Sequence, residues 1–579
     1  MFMRTALVLS LSMVGLANAG VLRVDIDANP NGDGSTWSRA FDSLTDALAV
    51  AQPGDQIWVA EGKYTPEAPA GRDATFLIPD GVGVFGGFVG NENSLAGRGD
   101  PLDPLVFLDG ELSGTTNSYH VVTFDGAGSN TVLDGFSIIN GIADGTSTAQ
   151  KRGAGIYATD SSPILQNLIV ENNIANGNGG GVYLAGTTSN FTQIIDCSVR
   201  DNTALLGGGV HTEIGTIISN TDIEQNTANG GGGLSLSGSE TYLIDNSLFL
   251  DNTATVSLGG AAVVNLSANS ANTVFDRCEF RGNASPQAGG IGYLFSGTHR
   301  ITTSRFYANS TENVGASAVR MNAASPASKL TIENSLFTGN TAISNAGTVA
   351  GDGPGQLFVQ GSTFTMNTTT SGIGSGAIMA ASGSVTVDNS ILWDNTGPQG
   401  GQTDSIWYNG AVNLVVNRTI INGLGSGDPA PTGVGNINLV PLFVDADGPD
   451  NIPGTPDDNV RLTEGSPAID RGNDLVVGLN ILGDIYGGSR FLDDTGTPDT
   501  GIDDAVPGVV DLGAAEFQGT TPTECPPDIN DDGTLNFFDI SAFLSAFNAQ
   551  DPVADFNDDG TFNFFDISAF LSAFSAGCP

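Results

Sequence analysis

The chain has 579 residues, 80 of them Gly, with 63 Asp+Glu against 19 Lys+Arg and a formal net charge of -44. So acidic a chain offers no basic patch to phosphates or anionic lipid, which excludes a nucleic-acid binder. A hydrophobic content of 39% with 30 Phe excludes wholesale disorder, and the length exceeds one ordinary core, so a repeat or several domains is expected.

Residues 1–19 read as a secretory signal: Arg4 supplies the positive start, Thr5 to Leu16 the short apolar run, and Ala17-Asn18-Ala19 the small-x-small cleavage site. The mature chain is expected to begin at Gly20, in a secreted or cell-surface setting. No later stretch reaches the ~18 consecutive apolar residues of a transmembrane helix. Thr36-Trp37 then leads into Phe41, Leu44, Leu48 and Ala51, which fall on one helical face, and Gly54 to Ala60 reads as a first β segment.

A pattern of apolar-x-x-small-x-apolar-x-x-Asn follows. Its Asn copies are Asn173, Asn202, Asn226, Asn252, Asn283, Asn309, Asn340, Asn367 and Asn395, spaced on average about 28 residues apart, with Gly141 in the same place one copy earlier. Three residues before the Asn stands an apolar column: Val170, Val199, Ile223, Phe249, Phe280, Phe306, Phe337, Phe364 and Leu392. Eight before stands another, from Leu165 through Ile244 and Phe275 to Val387. Gly-rich runs such as Gly179-Gly180-Gly181 precede a further β-like stretch. One such unit cannot close a core, but stacking units at about 4.8 Å buries each column against itself. The expectation is an all-β, right-handed parallel β-helix with glycines at its corners and an internal Asn ladder. Helical repeats are disfavoured by the β-branched residues, the glycines and the missing 3.6-residue period.

This pattern resembles the pectate-lyase-like right-handed parallel β-helix superfamily, especially its secreted bacterial surface members, over roughly residues 21–445. The segment from Thr36 to Ala51 resembles the N-terminal cap helix of those proteins. Ser466 to Asp470 with Val510 to Phe517 resembles their ending. The resemblance implies a β-helix domain over 20–444, an acidic C-terminal segment of that domain over 445–518, and a linker over 519–524. It leaves function open, since the superfamily holds lyases, hydrolases, adhesins and stalks. Lyases of the superfamily use carboxylate-held Ca²⁺ with an Arg or Lys base. Outward positions four and two before the Asn give one stripe mixing acids, Arg and an aromatic: Asp222, Glu224, Glu279, Arg281, Arg305 and Tyr307. It is the expected carbohydrate contact. A solvated sheet face with stacked charge pairs is its plain alternative. His120, His211 and His299 fall at unrelated repeat positions. Tyr119-His120 reads as ordinary strand and His299 as a surface residue, and no catalytic residue is assigned.

Residues 445–516 carry 16 acids and three Arg. Asp445, Asp447, Asp450, Asp457-Asp458-Asn459 and Asp493-Asp494 offer further Ca²⁺ ligands within 445–504, although the expected state is solvated capping loops.

The last 55 residues hold a duplication. Asn536 to Phe547 recurs unchanged at Asn563 to Phe574. Each copy follows an Asp-x-Asn-x-Asp-Gly loop, in which alternating oxygens wrap a hard cation and the Gly allows the turn. Positions 1, 3, 5, 7, 9 and 12 are Asp528, Asn530, Asp532, Thr534 (by its carbonyl), Asn536 and Asp539 in the first loop. The second has Asp555, Asn557, Asp559, Thr561, Asn563 and Asp566. Each loop enters a helix with Ile540, Phe543, Leu544 and Phe547, or Ile567, Phe570, Leu571 and Phe574, at helical spacing. Paired loop–helix units without entering helices resemble the dockerin family. That implies two Ca²⁺ sites over 525–579 and a cohesin-like receptor as partner. Phe537-Phe538 and Phe564-Phe565 depart from the small polar residues common in cellulosomal dockerins.

Cys525 and Cys578 flank this module and are expected to form a disulfide. Cys197 and Cys278 lie in a column otherwise mostly Ser or Thr, three coils or roughly 14 Å apart, and are expected to be free and buried. Taken together, the chain reads as a secreted, dockerin-anchored β-helix protein that binds carbohydrate or adheres. A Ca²⁺-dependent polysaccharide lyase or glycoside hydrolase and a structural stalk are the alternatives.

Overall fold

The computed structural model describes residues 20–67, 71–101, 105–112, 116–187, 190–268, 270–425, 431–478, 480–502 and 509–519, and within the C-terminal module 527, 529, 535, 537–549, 552–554, 556 and 562–576. It divides into one compact unit ending at Phe517 and a second running from Gln518 to Pro579.

The first unit is a right-handed parallel β-helix. One coil shows its construction: Thr216–Ser219 joins the first sheet, Asp222–Glu224 the second, and Thr227–Gly230 with Leu234–Gly238 the third. Same-position residues pair in parallel with the next coil, as Ile218 with Ile244, Ile223 with Phe249 and Leu236 with Val264. The first and second sheets have 14 and 13 strands, and the third has 19 because most coils give it two short ones. Strands this short carry one or two inward residues each, so the apolar columns alone decide the register.

The columns become continuous stacks. Phe249, Phe280, Phe306, Phe337 and Phe364 lie face to face at 4.8, 4.5, 4.6 and 4.4 Å, all fully buried. The Asn ladder is present over all nine copies. The Asn283 Nδ2 donates to Asn309 Oδ1 (2.9 Å) and to the Phe249 carbonyl (2.8 Å). Its Oδ1 accepts both the backbone N–H (3.0 Å) and the Nδ2 (3.0 Å) of Asn252. Every valence of the amide is filled, which is what a buried polar group requires.

The corners correct one expectation. The turn before each ladder Asn is held in the left-handed region mostly by residues other than Gly: Asn172, Asp201, Gln225, Asp251, Ala308, Met366 and Asp394. The turn between the first two sheets uses Asn167, Asp196, Asn220 and Asn246 likewise. Asn and Asp tolerate this conformation locally. Gly282, Gly339 and Gly361 take these places in other coils, and glycine predominates at the third sheet, for the reason given with the site below.

Cys197 and Cys278 are free and buried, and they occupy a second ladder. The backbone N–H of Cys278 bonds the Ser304 hydroxyl (3.1 Å), and Ser304 repeats this to Ser335 and Ser335 to Ser362 (3.2 Å each). The Cys278 Sγ donates to the carbonyls of Ile244 and Asp276, as a serine hydroxyl would. Burial pushes the Cys197 thiol up to about 12 and raises Cys278 in the same direction. Cys278→Ser is therefore expected to leave stability within about 1 kcal/mol, whereas Cys278→Leu overpacks the corner and costs about 1–3 kcal/mol in denaturant titrations. Equal losses for both would refute the ladder role.

The N-terminal cap is shorter than its sequence pattern. The α-helix spans Leu44–Val50, capped by the Ser43 hydroxyl, while Trp37–Arg39 forms a separate 3₁₀ turn and Phe41 lies outside both. A strand at Val21–Val24 pairs with Gln56–Ala60 and starts the first sheet.

At the other end, the described residues of 441–517 are not solvated capping loops. They double back over the second sheet and its corner with the first. Val460, Ile485, Ala514 and Ala515 pack on Tyr307 and Leu336, while Ala468, Ile469 and Leu512 pack on Ile391 and Ile420. Asn389 and Asn334 bond the Asn473 and Gly483 backbones. This clasp buries its own acids: Arg490 Nη1 meets Glu516 Oε2 at 3.1 Å, both nearly inaccessible, and Arg490 Nη2 donates to the carbonyls of Asp511 and Gly513. Asp484 accepts the N–H groups of Tyr486, Gly488 and Glu516.

The second unit holds helices Phe537–Ala549 and Phe564–Ala576. Phe543 stacks on Phe570 at 4.1 Å, with Phe556 edge-on to both. Leu544 and Leu571, expected in the apolar face, are about half exposed instead (51% and 46%). The Phe543–Phe570 pair carries the contact without them.

Candidate functional site

In the third sheet, the strand after each glycine run alternates inward and outward residues. Val182 and Leu184 point in and Tyr183 points out, and register aligns Tyr157, Tyr183, His211 and Ser235 on one outer column. The coil spacing makes these rings a stack: His120 on Tyr157 at 4.7 Å, Tyr157 on Tyr183 at 5.5 Å, and Tyr183 on His211 at 5.5 Å. Gly153 and Gly179 explain the glycine runs. Both have positive φ, and a Cβ would lie 2.6 Å from the Ile156 carbonyl oxygen or 2.4 Å from that of Val182, and 2.9 Å from the Tyr183 Cβ. Only a residue without a side chain fits under this turn of backbone.

Charged groups gather at the tips of the rings. Arg152 Nη1 donates to the Tyr183 hydroxyl at 2.6 Å, and that hydroxyl donates to Glu213 Oε1 at 3.0 Å. The same oxygen lies 3.3 Å from His211 Nε2, and His211 Nδ1 lies 3.0 Å from the Ser235 hydroxyl. A carboxylate only accepts, so Nε2 carries a proton in this contact. The bonds from His211 and Tyr183 hold Glu213 below the usual carboxylate value against the opposing effect of burial. Burial raises the Tyr157 and Tyr183 phenols and lowers His120. At neutral pH the His120, Tyr157 and Tyr183 rings are therefore neutral. Tyr183 and His211 are buried, so the surface of the column is the part-exposed His120 and Tyr157, beside one carboxylate and one guanidinium. Beside it, Arg72 lies over the Tyr119 ring at 4.2 Å and pairs with Asp144. Tyr119 and His120 are not in a strand.

The stripe expected from the sequence lies on the second sheet with the expected register. Asp222, Leu248, Glu279 and Arg305 align, as do Glu224, Leu250, Arg281 and Tyr307. The clasp then divides it. Tyr307 is only 2% exposed beneath Val460 and Ile485, so it meets no ligand at the surface, while Arg305 stays part-exposed and donates to the Ile485 carbonyl. Asp222, Glu224, Glu279 and Arg281 are part-buried, with Arg281 3.5 Å from Glu279. Burial is the first cause raising Glu224 and Glu279. The stripe is thus five part-buried charged side chains with no accessible ring.

His299 is also corrected. It is fully buried against Tyr293, and burial lowers it to about 4, so it stays neutral. In the second unit, Asp539 and Asp566 are fully buried in the first turns of their helices, and Asp566 Oδ2 accepts the Asn563 N–H at 2.8 Å. Asp528, Asn530, Asp532, Thr534, Asn536, Asp555, Asn557, Asp559, Thr561, Cys525 and Cys578 lie outside the described residues.

The Tyr157–Tyr183–His211 column escapes the repeat pattern because its residue type changes from coil to coil. Its signal was the residue between the two inward positions after each glycine run. No helix among the described residues is long and apolar enough to cross a membrane.

The sequence family described as "Right handed beta helix region" matches residues 187–364. Among solved structures, the chain is similar to pectate lyase Pel9A (15% identity, 87% of this chain and 98% of that one, TM-score 0.37). It is also similar to a rhamnogalacturonan lyase (12% identity, 77% and 97%, TM-score 0.33). A third is the catalytic unit of a GH87 alpha-1,3-glucanase from Streptomyces thermodiastaticus (12%, 73% and 70%, TM-score 0.25). No curated protein matches the sequence. The three sheets and the Asn ladder run unbroken beyond both ends of the family match, and the chain is a right-handed parallel β-helix protein.

Proposed function

We propose that this is a secreted, dockerin-anchored protein whose solenoid binds carbohydrate on the outer face of the third sheet. The observation that carries the reading is the part-exposed His120–Tyr157 stack, backed by the buried rings of Tyr183 and His211, with Arg152 and Glu213 at its edge. Sugar rings pack their C–H faces on aromatic rings and bond hydroxyls to carboxylate and guanidinium groups, so a part-exposed Tyr157 beside both suits them. With a net charge of -44, an uncharged glycan, or one bridged by divalent cations, is favoured over a bare polyanion.

The anchor reading rests on the duplicated Asp-x-Asn-x-Asp-Gly loops and on Asp539 and Asp566 at their twelfth positions, both fully buried. Alternating oxygen ligands closed by a carboxylate suit Ca²⁺. Ca²⁺ would supply charge compensation and loop closure there. A Cys525–Cys578 disulfide, a cohesin-like receptor and removal of residues 1–19 complete the proposal.

A second reading, a polysaccharide lyase or glycoside hydrolase, draws on the same cluster. Arg152 would face an acidic sugar group, and the part-exposed Tyr157, stacked on the buried Tyr183, would be the proton carrier at the surface.

Calorimetric titration of the full chain with soluble oligosaccharides tests the binding face. Tyr157→Ala is expected to weaken the glycan the wild type binds by about tenfold, the worth of one stacking contact. Arg281→Ala, on the second sheet, should leave affinity unchanged. Unchanged binding in Tyr157→Ala would overturn the assignment.

A further inference from the structure

Within the clasp, three acids from two separate stretches converge. Asp470, Asp493 and Asp499 each place a carboxylate oxygen within 4.8 Å of the other two. Asp493 and Asp499 are exposed, but Asp470 is fully buried, and its Oδ2 has no hydrogen-bond partner among the described residues. A buried, unpartnered carboxylate oxygen beside two further carboxylates is costly unless something positive sits between them. Among the described residues no Lys, Arg or His makes an ion pair with any of the three.

The site is also built before any ion arrives. Asp470 holds a left-handed backbone conformation at φ 51°, and its carbonyl accepts the N–H groups of Thr500 (2.9 Å) and Gly501 (3.1 Å). Its own N–H is taken by Asp511 Oδ1 at 2.8 Å. Thr497 bonds Asp494 through backbone and side chain, both at 2.8 Å, which folds 493–501 back on Asp470. The ligand set also favours one ion. Ca²⁺ takes six to eight oxygens in loose geometry, whereas Mg²⁺ demands a near-ideal octahedron and dehydrates reluctantly. Three carboxylates from two stretches of irregular chain suit the larger ion, with water completing its shell on the exposed side.

We propose that Asp470, Asp493 and Asp499 form a Ca²⁺ site that fastens the 493–501 loop to the clasp and so helps hold the clasp on the second sheet. The site is independent of the C-terminal module and of the glycan face.

The test is calorimetric titration of the chelator-stripped full chain with CaCl₂, together with limited proteolysis across 493–501. Asp493→Asn/Asp499→Asn alters two exposed side chains and is expected to bind one Ca²⁺ fewer than wild type. Ca²⁺ should protect the loop from cleavage at least fivefold in wild type and not in the variant. Asp470→Asn, isosteric and still able to accept the Asp494 N–H, should lose the same site. Asp539→Asn/Asp566→Asn changes the count separately, so failure here and failure of the dockerin-like module are distinguishable. An unchanged Ca²⁺ count and unchanged protection in the Asp493/Asp499 variant would overturn the proposal.

Discussion

Asn283→Ala is expected to destabilise the solenoid by about 3–6 kcal/mol, among the largest effects available to one substitution in this chain. The amide sits mid-ladder with all valences used. Its loss strips the backbone N–H and one amide proton of Asn252 of their acceptor, and the Asn309 carbonyl oxygen of a donor, all in the interior. Each unsatisfied buried group costs about 1–3 kcal/mol, and water has no route in to replace the lost partner. Asn283→Asp should be nearly as damaging, since a carboxylate accepts but cannot donate to Asn309 and the Phe249 carbonyl. Asn395, at the last rung, is expected to cost about half as much, because a solenoid's stability is built from nearest-neighbour terms. Urea unfolding measures all three. A loss below about 1 kcal/mol at Asn283 would mean that the columns of Phe and Ile hold the coils without the ladder.

Arg490→Met is expected to release the clasp, at a cost of about 3–5 kcal/mol. It leaves Glu516 buried with no positive partner and removes the donors of two buried carbonyls. Converting both members in Arg490→Met/Glu516→Met should recover much of the loss, since an apolar pair needs no compensation. The clasp is also expected to be pH-sensitive in a definite direction. Burial pushes Asp511 up to about 7 and Asp458 up to about 6, and raises Glu516 well above its ordinary value. Unfolded carboxyls titrate near 4, so the folded clasp binds more protons between that value and about 7. Its stabilisation is complete below pH ~4 and is lost as pH rises through 6 to 7. In chelator, proteolysis of residues 441–517 should be slower at pH 5.5 than at pH 8 once corrected for protease activity, and Arg490→Met should steepen the dependence. Slower cleavage at pH 8 would contradict this.

The solenoid was legible because stacking turns one position into a column. Nine Asn and five Phe at constant phase leave little else they can build, and the free state of Cys197 and Cys278 followed from counting coils. The clasp was not legible, because it has no period. Its contacts are long-range, with Arg305 meeting Ile485 180 residues away, and its Asp-, Gly- and Pro-rich chain gives no strand or helix signal. That one omission also misplaced Tyr307, whose outward direction was right but whose surface was already taken. The Tyr157–Tyr183–His211 face was hidden for a different reason. Outward positions are free of the core's constraint, so their chemistry changes between coils and only register brings it together. On the C-terminal helices, spacing alone grouped Leu544 with Phe543, and the ring stack at Phe543–Phe570 shows which of the two is inside.

The central claim is that the third-sheet face binds carbohydrate rather than cleaves it. The most direct measurement incubates the full chain with a panel of neutral and acidic polysaccharides in Ca²⁺, scoring retention together with the ultraviolet absorbance of unsaturated products. Retention of at least one glycan, lost in Tyr157→Ala and without new absorbance, is the result expected. Unsaturated products that disappear in Tyr157→Phe would establish a lyase instead, and no retention of any glycan would leave the solenoid a stalk.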